Sequence, residues 1–235
     1  MKHFLMVGAS RGLGLVTQKL FKKNGIQTTV LSRHPNANCY DGSQSIDLSN
    51  PIEVKYKIRD ILKQTGAISG ACFFQRWREN GNTQGANNEL NVSLNSSRVI
   101  IEEAINFLDD EKDHPFTFVS SVNSKFVSPQ AGIDYHIAKS GLDSAVRYYA
   151  VQYGRLAARF NTVNPGTFIK PENVVDYEKS NNIVNQTSNL SPLGRATKAS
   201  DVAELILFLS SQSSLAITGQ NITIDSGVSL RWPES

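Results

Sequence analysis

Two hydrophobic rhythms alternate along this chain. Short apolar runs, suited to strands buried on both faces, are followed by stretches whose apolar residues recur every third or fourth position, the period of a helix with one buried face. His3–Val7 is the first run, and Leu13, Val16, Leu20 and Phe21 then keep helical spacing. Residues 27–31 predict a second strand, and Pro51 opens a helix that would bury Val54, Ile58, Ile61 and Leu62. Residues 68–74 are the next apolar run, while 80–88, polar and glycine-containing, predict a loop. A long amphipathic helix over 90–108 follows, with Leu90, Leu94, Ile101, Ile105 and Leu108 on its apolar face. After a charged turn at 109–114, the pattern predicts a strand over 116–119 and a helix carrying Ala138, Leu142, Ala145, Val146 and Tyr149. Residues 159–163 predict a strand, 164–167 a turn, and 168–192, polar and weakly periodic, a mobile cover of the kind that forms a lid. Ser200 is placed to cap a helix with Val202, Leu205, Ile206 and Leu209, and residues 222–225 end the pattern as a last strand. This alternation predicts an α/β fold: a doubly wound parallel sheet with helices on both faces and ligands at the carboxyl ends of its strands.

Composition sets the bounds. A chain of 235 residues with 40% apolar content can bury one substantial core, so one domain over residues 1–235 is expected. The formal charge of +3, carried by scattered Lys and Arg, argues against a nucleic-acid surface. Cys39 and Cys72 fit no metal spacing, so no metal is expected and a reducing compartment is the simplest assumption. No apolar run is long enough to span a bilayer, and a strand beginning at once leaves no room for a signal peptide, which makes the expected location cytoplasmic.

Candidate chemistry gathers around Tyr135-His136-Ile137-Ala138-Lys139, with Ser120 and Ser121 upstream. Tyrosine and lysine four positions apart lie one turn apart on the same helical face. A phenol with a pKa of about 10 is a poor base at neutral pH, but a neighbouring ammonium stabilises its phenolate and makes it a usable general acid/base. Ser121, at the end of a strand, is positioned to hold a substrate oxygen beside that phenol. Between the first strand and helix lies Gly8-Ala9-Ser10-Arg11-Gly12-Leu13-Gly14, a glycine turn able to bring backbone N–H groups to a pyrophosphate at the helix N-terminus. The second strand ends in Ser32-Arg33, with no acid to accept the ribose hydroxyls of NAD; Arg33 and Arg11 instead suit the 2′-phosphate of NADP. Gln75-Arg76-Trp77-Arg78 leaves three readings open: a contact to the cofactor, a site for a carboxylate or phosphate on the substrate, or a solvated loop tip with one shielding aromatic.

Taken in order, these motifs resemble the short-chain dehydrogenase/reductase family from Lys2 to about Leu230. Gly8, Gly12 and Gly14 match its cofactor turn, Asp47-Leu48 its adenine contact, and Pro165-Gly166-Thr167 the turn near the nicotinamide. Asn91, Ser121, Tyr135 and Lys139 match its catalytic tetrad, and Pro192–Arg195, Phe208–Ser210, Thr218–Gln220 and Asp225–Gly227 resemble its C-terminal blocks. The sequence departs from the family at Phe73-Phe74-Gln75-Arg76, which replaces Asn-Asn-Ala-Gly, at Lys170, where a threonine is usual, and at Ser226-Gly227, where a glycine pair is usual. The resemblance implies a Rossmann-type domain that interconverts a carbonyl and a secondary alcohol of a small molecule with NADP(H), preferred over NAD(H); that substrate is anionic under the second reading of Gln75–Arg78. Tyr135 would be the acid/base, Ser121 would orient the substrate oxygen, Lys139 would tune Tyr135 and hold the nicotinamide ribose, and Asn91 would keep a water in a proton relay. Cofactor contacts are expected from Gly8, Ser10, Arg11, Gly12, Leu13, Gly14, Arg33, Asp47, Leu48, Gln75, Arg76, Tyr135, Lys139, Pro165, Gly166 and Thr167. It also implies a homodimer or homotetramer built on the helices over 90–108 and 135–153, with Tyr148, Tyr149 and Tyr153 as an anchor. The rival reading is a catalytically idle NADP(H)-binding sensor or scaffold.

Overall fold

In β1 (His3–Val7), Phe4, Leu5, Met6 and Val7 are buried, as required of a strand in the interior of a sheet covered on both sides. The computed structural model of the protein describes residues 2–34, 42–77, 86–169 and 181–230. β1 is flanked by β2 (Gln27–Ser32) on one side and β4 (Gly70–Phe73) on the other; β3 (Ser43–Ser45) adds to β2. β5 (His114–Val119), β6 (Ala158–Pro165) and β9 (Asn221–Ile224) extend the other wing, giving a seven-stranded, fully parallel sheet in the order β3-β2-β1-β4-β5-β6-β9. The order reverses between β1 and β4, and that switch point opens a crevice at the carboxyl ends of the strands. A separate two-residue pairing joins β7 (Phe168–Ile169) to β8 (Thr197–Lys198).

Helices cover both faces. α2 (Pro51–Thr65), α3 (Ala86–Leu90), α4 (Ser96–Ala104) and α5 (Ile133–Tyr153) enclose one core, in which Phe73 stacks on Phe118 with ring centroids 4.3 Å apart and Phe116 on Phe160 at 4.7 Å. α1 (Gly12–Lys23) and α7 (Ala199–Leu209) enclose the other, built on Phe4, Phe21, Val202 and Ile206. Each fully buried side chain of this size contributes about 1.5–3 kcal/mol relative to exposure. α2 starts where expected, with the Asn50 side chain accepting from the N–H groups of Ile52 and Glu53 and Pro51 in the first turn.

At the amino edge of the sheet, the buried Arg159 donates to Asp113 through Nε at 2.7 Å and Nη2 at 3.3 Å. Its other N–H groups reach the carbonyls of Leu209 (2.9 Å), Ser211 (3.4 Å) and Ile217 (3.1 Å). Among the described residues, no helix is long and apolar enough to cross a membrane.

Several expectations need correction. The helix expected over 90–108 already begins at Ala86, inside the predicted loop, and Asn91–Asn95 form a π turn between α3 and α4. A π turn closes on i→i+5 bonds and advances the buried face. Val92, Ile100, Ile101 and Ala104 are therefore buried, while Leu90 and Leu94 are half-buried. The helix ends in a 3₁₀ turn over Ile105–Phe107, and Leu108 is extended. Asn164 and Pro165 belong to β6, because they pair with Thr223 and Ile224 of β9. Asn181–Leu190 form α6, a helix inside the stretch read as irregular cover; its apolar residues are too sparse to register as a period. α7 starts at Ala199, so Ser200 lies inside it, and the Asp201 carboxylate receives the Lys198 N–H at 2.9 Å. Cys39, Arg78 and Lys170 lie outside the described residues.

Candidate active site

The crevice at the switch point is a cleft of about 1230 Å³. Its floor is the turn after β1. Gly8 holds φ +75°, and a Cβ there would sit 2.7 Å from the Gln75 backbone; a Cβ on Gly14 would meet Ala9 Cα at 2.3 Å. Glycine at both positions lets the turn pass between β4 and α1. The N-terminus of α1 lines the cleft with no side-chain cap and no acidic residue in its first turn, leaving its N–H groups and positive dipole end to a ligand.

Arg11 and Arg33 line the same cleft, and the Arg33 guanidinium lies over the Trp77 ring, 5.4 Å from its centroid. Two motifs that are separate in sequence thus form one wall. Ser32 also lines the cleft, and its buried hydroxyl has no hydrogen-bond partner among the described residues. Its only signal in the sequence is its place beside Arg33. An uncapped helix N-terminus, two guanidiniums and an unpaired hydroxyl suit the phosphates and ribose of a dinucleotide, so the residues present fit that group.

The opposite wall comes from β5 and α5. Lys139 is 2% exposed, and its Nζ donates to the Val119 carbonyl at 2.9 Å. Burial pulls its ammonium below the ordinary lysine value; Tyr135, Glu89 and Asp143 oppose that shift and Arg76 adds to it. Lys139 Nζ is 5.6 Å from the Tyr135 ring centroid. The Ser120 hydroxyl donates to the Lys139 carbonyl at 3.1 Å and fastens the helix to the strand end. Ser121 accepts from the Asn123 N–H at 3.1 Å, so its own proton is free to be donated into the cleft.

Asp143 continues the Tyr135–Lys139 face at the next four-residue step. It is buried and accepts from Thr162 at 3.0 Å and Asn164 at 2.7 Å, tying α5 to β6. Asp143 and Glu89, another buried carboxylate, are the acidic groups that sequence reasoning missed; the spacing 135, 139, 143 pointed to the first.

The residues expected for catalysis and cofactor contact all line this cleft except Asn91. Its amide donates to the Ser49 carbonyl at 3.1 Å and its oxygen accepts from Asn95 at 3.0 Å. Gln75 is buried and donates to Ser97, and its side-chain oxygen has no partner among the described residues. Arg76 lies over the Tyr135 ring, 4.3 Å from its centroid, and Trp77 is partly buried.

A family profile described as enoyl-(acyl carrier protein) reductase matches residues 8–229. The chain is similar to an NADH-dependent enoyl-[acyl-carrier-protein] reductase of Bacillus subtilis, with 26% identity over 96% of the chain and 91% of that protein. It is equally similar to a 3-oxoacyl-[acyl-carrier-protein] reductase of Thermotoga maritima, 26% identical over 97% of each. Among solved structures, the ligand-free aldohexose dehydrogenase of Thermoplasma acidophilum superposes with a TM-score of 0.84 and 25% identity, over 100% of this chain and 96% of that one. With the cleft, the Tyr-Lys helix and a match running nearly end to end, this chain is an oxidoreductase of the short-chain dehydrogenase/reductase family, whose members use nicotinamide cofactors.

Proposed function

We propose that the protein interconverts a carbonyl and a secondary alcohol with NADP(H), and that Tyr135 is its acid/base. The observation that carries this reading is the convergence of Ser121, Tyr135 and Lys139 on one wall of the cleft, opposite the phosphate-binding turn. When bound, the nicotinamide group supplies or accepts the hydride. In the reductive direction the substrate carbonyl accepts a hydrogen bond from Ser121, and Tyr135 transfers its phenolic proton to that oxygen. Lys139 stabilises the resulting phenolate and has N–H donors left for the nicotinamide ribose. Asn91 would keep a water in the proton relay; its amide donates to the Ser49 carbonyl and its oxygen accepts from Asn95. Arg11 and Arg33 take the 2′-phosphate. One domain carries both the cofactor and the substrate functions, and the assembly is a homodimer or homotetramer.

Tyr135→Phe tests the central assignment. Turnover of a carbonyl found by screening should fall well below a tenth of the wild-type rate, a loss of more than about 1.4 kcal/mol in transition-state stabilisation. NADPH should still bind, as followed by its fluorescence. A variant that keeps more than about a tenth of the rate removes Tyr135 from the role. A wild-type protein that binds NADPH and reduces no carbonyl is instead the idle sensor.

A further inference from the structure

We propose that Arg76 is an anion-recognition residue, and that the substrate is an oxo acid (or the matching hydroxy acid) whose carboxylate lies close to the reacting carbonyl. This deepens the reading above and rests on it.

Arg76 stands three residues beyond the end of β4, at the switch point where this fold places its ligands. It is exposed to the cleft, and its guanidinium lies 4.3 Å from the centroid of the Tyr135 ring. A ring face is not a conventional hydrogen-bond acceptor, so this contact leaves the guanidinium N–H donors for a ligand. Among the described residues no hydrogen bond or ion pair engages Arg76. An arginine serving only structure would be expected to have a carboxylate or carbonyl partner, as Arg59 has Glu103 and Arg195 has Asp201.

Charge in the cleft leads to the same conclusion. Among the described residues that line it, Arg11, Arg33, Arg76 and Lys139 stand against the single carboxyl side chain Asp47. Arg11 and Arg33 flank the glycine turn and account for the phosphate end. Arg76 is on the far side of Gln75, beside the phenol, and is left over for the other ligand. A guanidinium pairs with a carboxylate through two parallel hydrogen bonds, fixing both position and orientation. With the ring of Tyr135 as its support, Arg76 would hold such a carboxylate next to the carbonyl that Tyr135 protonates.

The test is steady-state kinetics on paired substrates. Short-chain 2-oxo and 3-oxo acids are each compared with their methyl esters, using the full-length protein, NADPH, and wild type, Arg76→Ala and Arg76→Lys. Wild type should favour the acid of at least one pair by about tenfold or more in kcat/KM, the scale of one charge-assisted contact. Arg76→Ala should collapse that acid-to-ester ratio towards one, and Arg76→Lys should restore part of it. Calorimetric titration of the protein–NADP⁺ complex with the same acids gives a readout apart from turnover: binding to wild type that weakens by a similar factor in Arg76→Ala. An acid-to-ester ratio near one in wild type, or the same ratio in Arg76→Ala, overturns the proposal. So does an effect of Arg76→Ala confined to KM for NADPH, which would make Arg76 a cofactor contact. Reduction of the esters without acid preference defeats this inference alone, whereas no reduction of any acid, ester or simple ketone defeats the reductase reading with it.

Discussion

Lys139 carries its amine where water does not reach it, with the Val119 carbonyl as its described hydrogen-bond acceptor. Because burial holds its folded-state value below the ordinary one, the unfolded chain keeps this proton to higher pH than the folded chain does. Between those two values the unfolded state binds more protons, so the contribution of this group to stability rises with pH. Below both values the cost of burying the ammonium is present in full. Lys139→Met removes that cost, and the stability of the variant relative to wild type should decline as pH climbs through the window. Thermal melts of both proteins at neutral pH and at about pH 9.5 measure it; a difference that grows with pH contradicts the sign. Arg33 supports a second expectation at this scale. Its guanidinium is held over Trp77 where an NAD-binding protein would carry an acid, so NADPH should exceed NADH in kcat/KM. Arg33→Ala should lower that ratio by about tenfold or more, the loss of a charge-assisted contact to phosphate. Equal kcat/KM for the two cofactors in wild type would defeat it.

Among the elements, α5 is the one whose placement decides the chemistry. It presents Tyr135 and Lys139, and Asp143 anchors it through Thr162 and Asn164 of β6. Asp143→Ala would leave one N–H of Asn164 and the hydroxyl proton of Thr162 unpaired in the interior and should cost about 1–3 kcal/mol, read from urea denaturation. An unchanged midpoint would mean that packing alone holds the helix. This helix was legible in the sequence because its apolar residues, Ala138, Leu142, Val146 and Tyr149, keep an unbroken helical period. The helix preceding it was legible in kind but not in phase, since the π turn over Asn91–Asn95 breaks the period on which the reading depends. The same turn carries Asn91, whose amide is spent on Ser49 and Asn95. α6 was not legible because its Asn- and Ser-rich sequence has the composition of a loop. The stacking of Arg33 on Trp77 and of Arg76 on Tyr135 joins residues far apart in the chain, and no local pattern encodes it.

On the scale of the whole molecule, the outer face of α5 bears on assembly. Tyr148 is 64% exposed and Val151 86%, a large apolar surface for a helix otherwise packed on the core. Tyr149 is not part of it, contrary to the reading of the three tyrosines as one anchor. It is 4% exposed and stacks on Tyr153 at 5.8 Å within the core. If α5 packs against its copy, light scattering at micromolar concentration should give a dimer or tetramer, and Tyr148→Glu with Val151→Glu should shift it to the monomer mass of 25.9 kDa. A wild-type monomer at that concentration would rule the interface out.

The Arg159 clamp lies at the other end of the strands from the cleft. One guanidinium there joins Asp113 before β5, the start of β6, the end of α7 and the approach to β9. Removing either charge would leave its partner buried and uncompensated, at about 3–5 kcal/mol, so this rim resists separation. The ligand rim is held by close-packed glycine turns, by arginines resting against aromatic rings and by the Asp143 tie between α5 and β6. Local opening should therefore cost less at the cleft than at the clamp, like a book opened against its spine, so that a ligand would enter and leave without loosening the joint that keeps the strands in register.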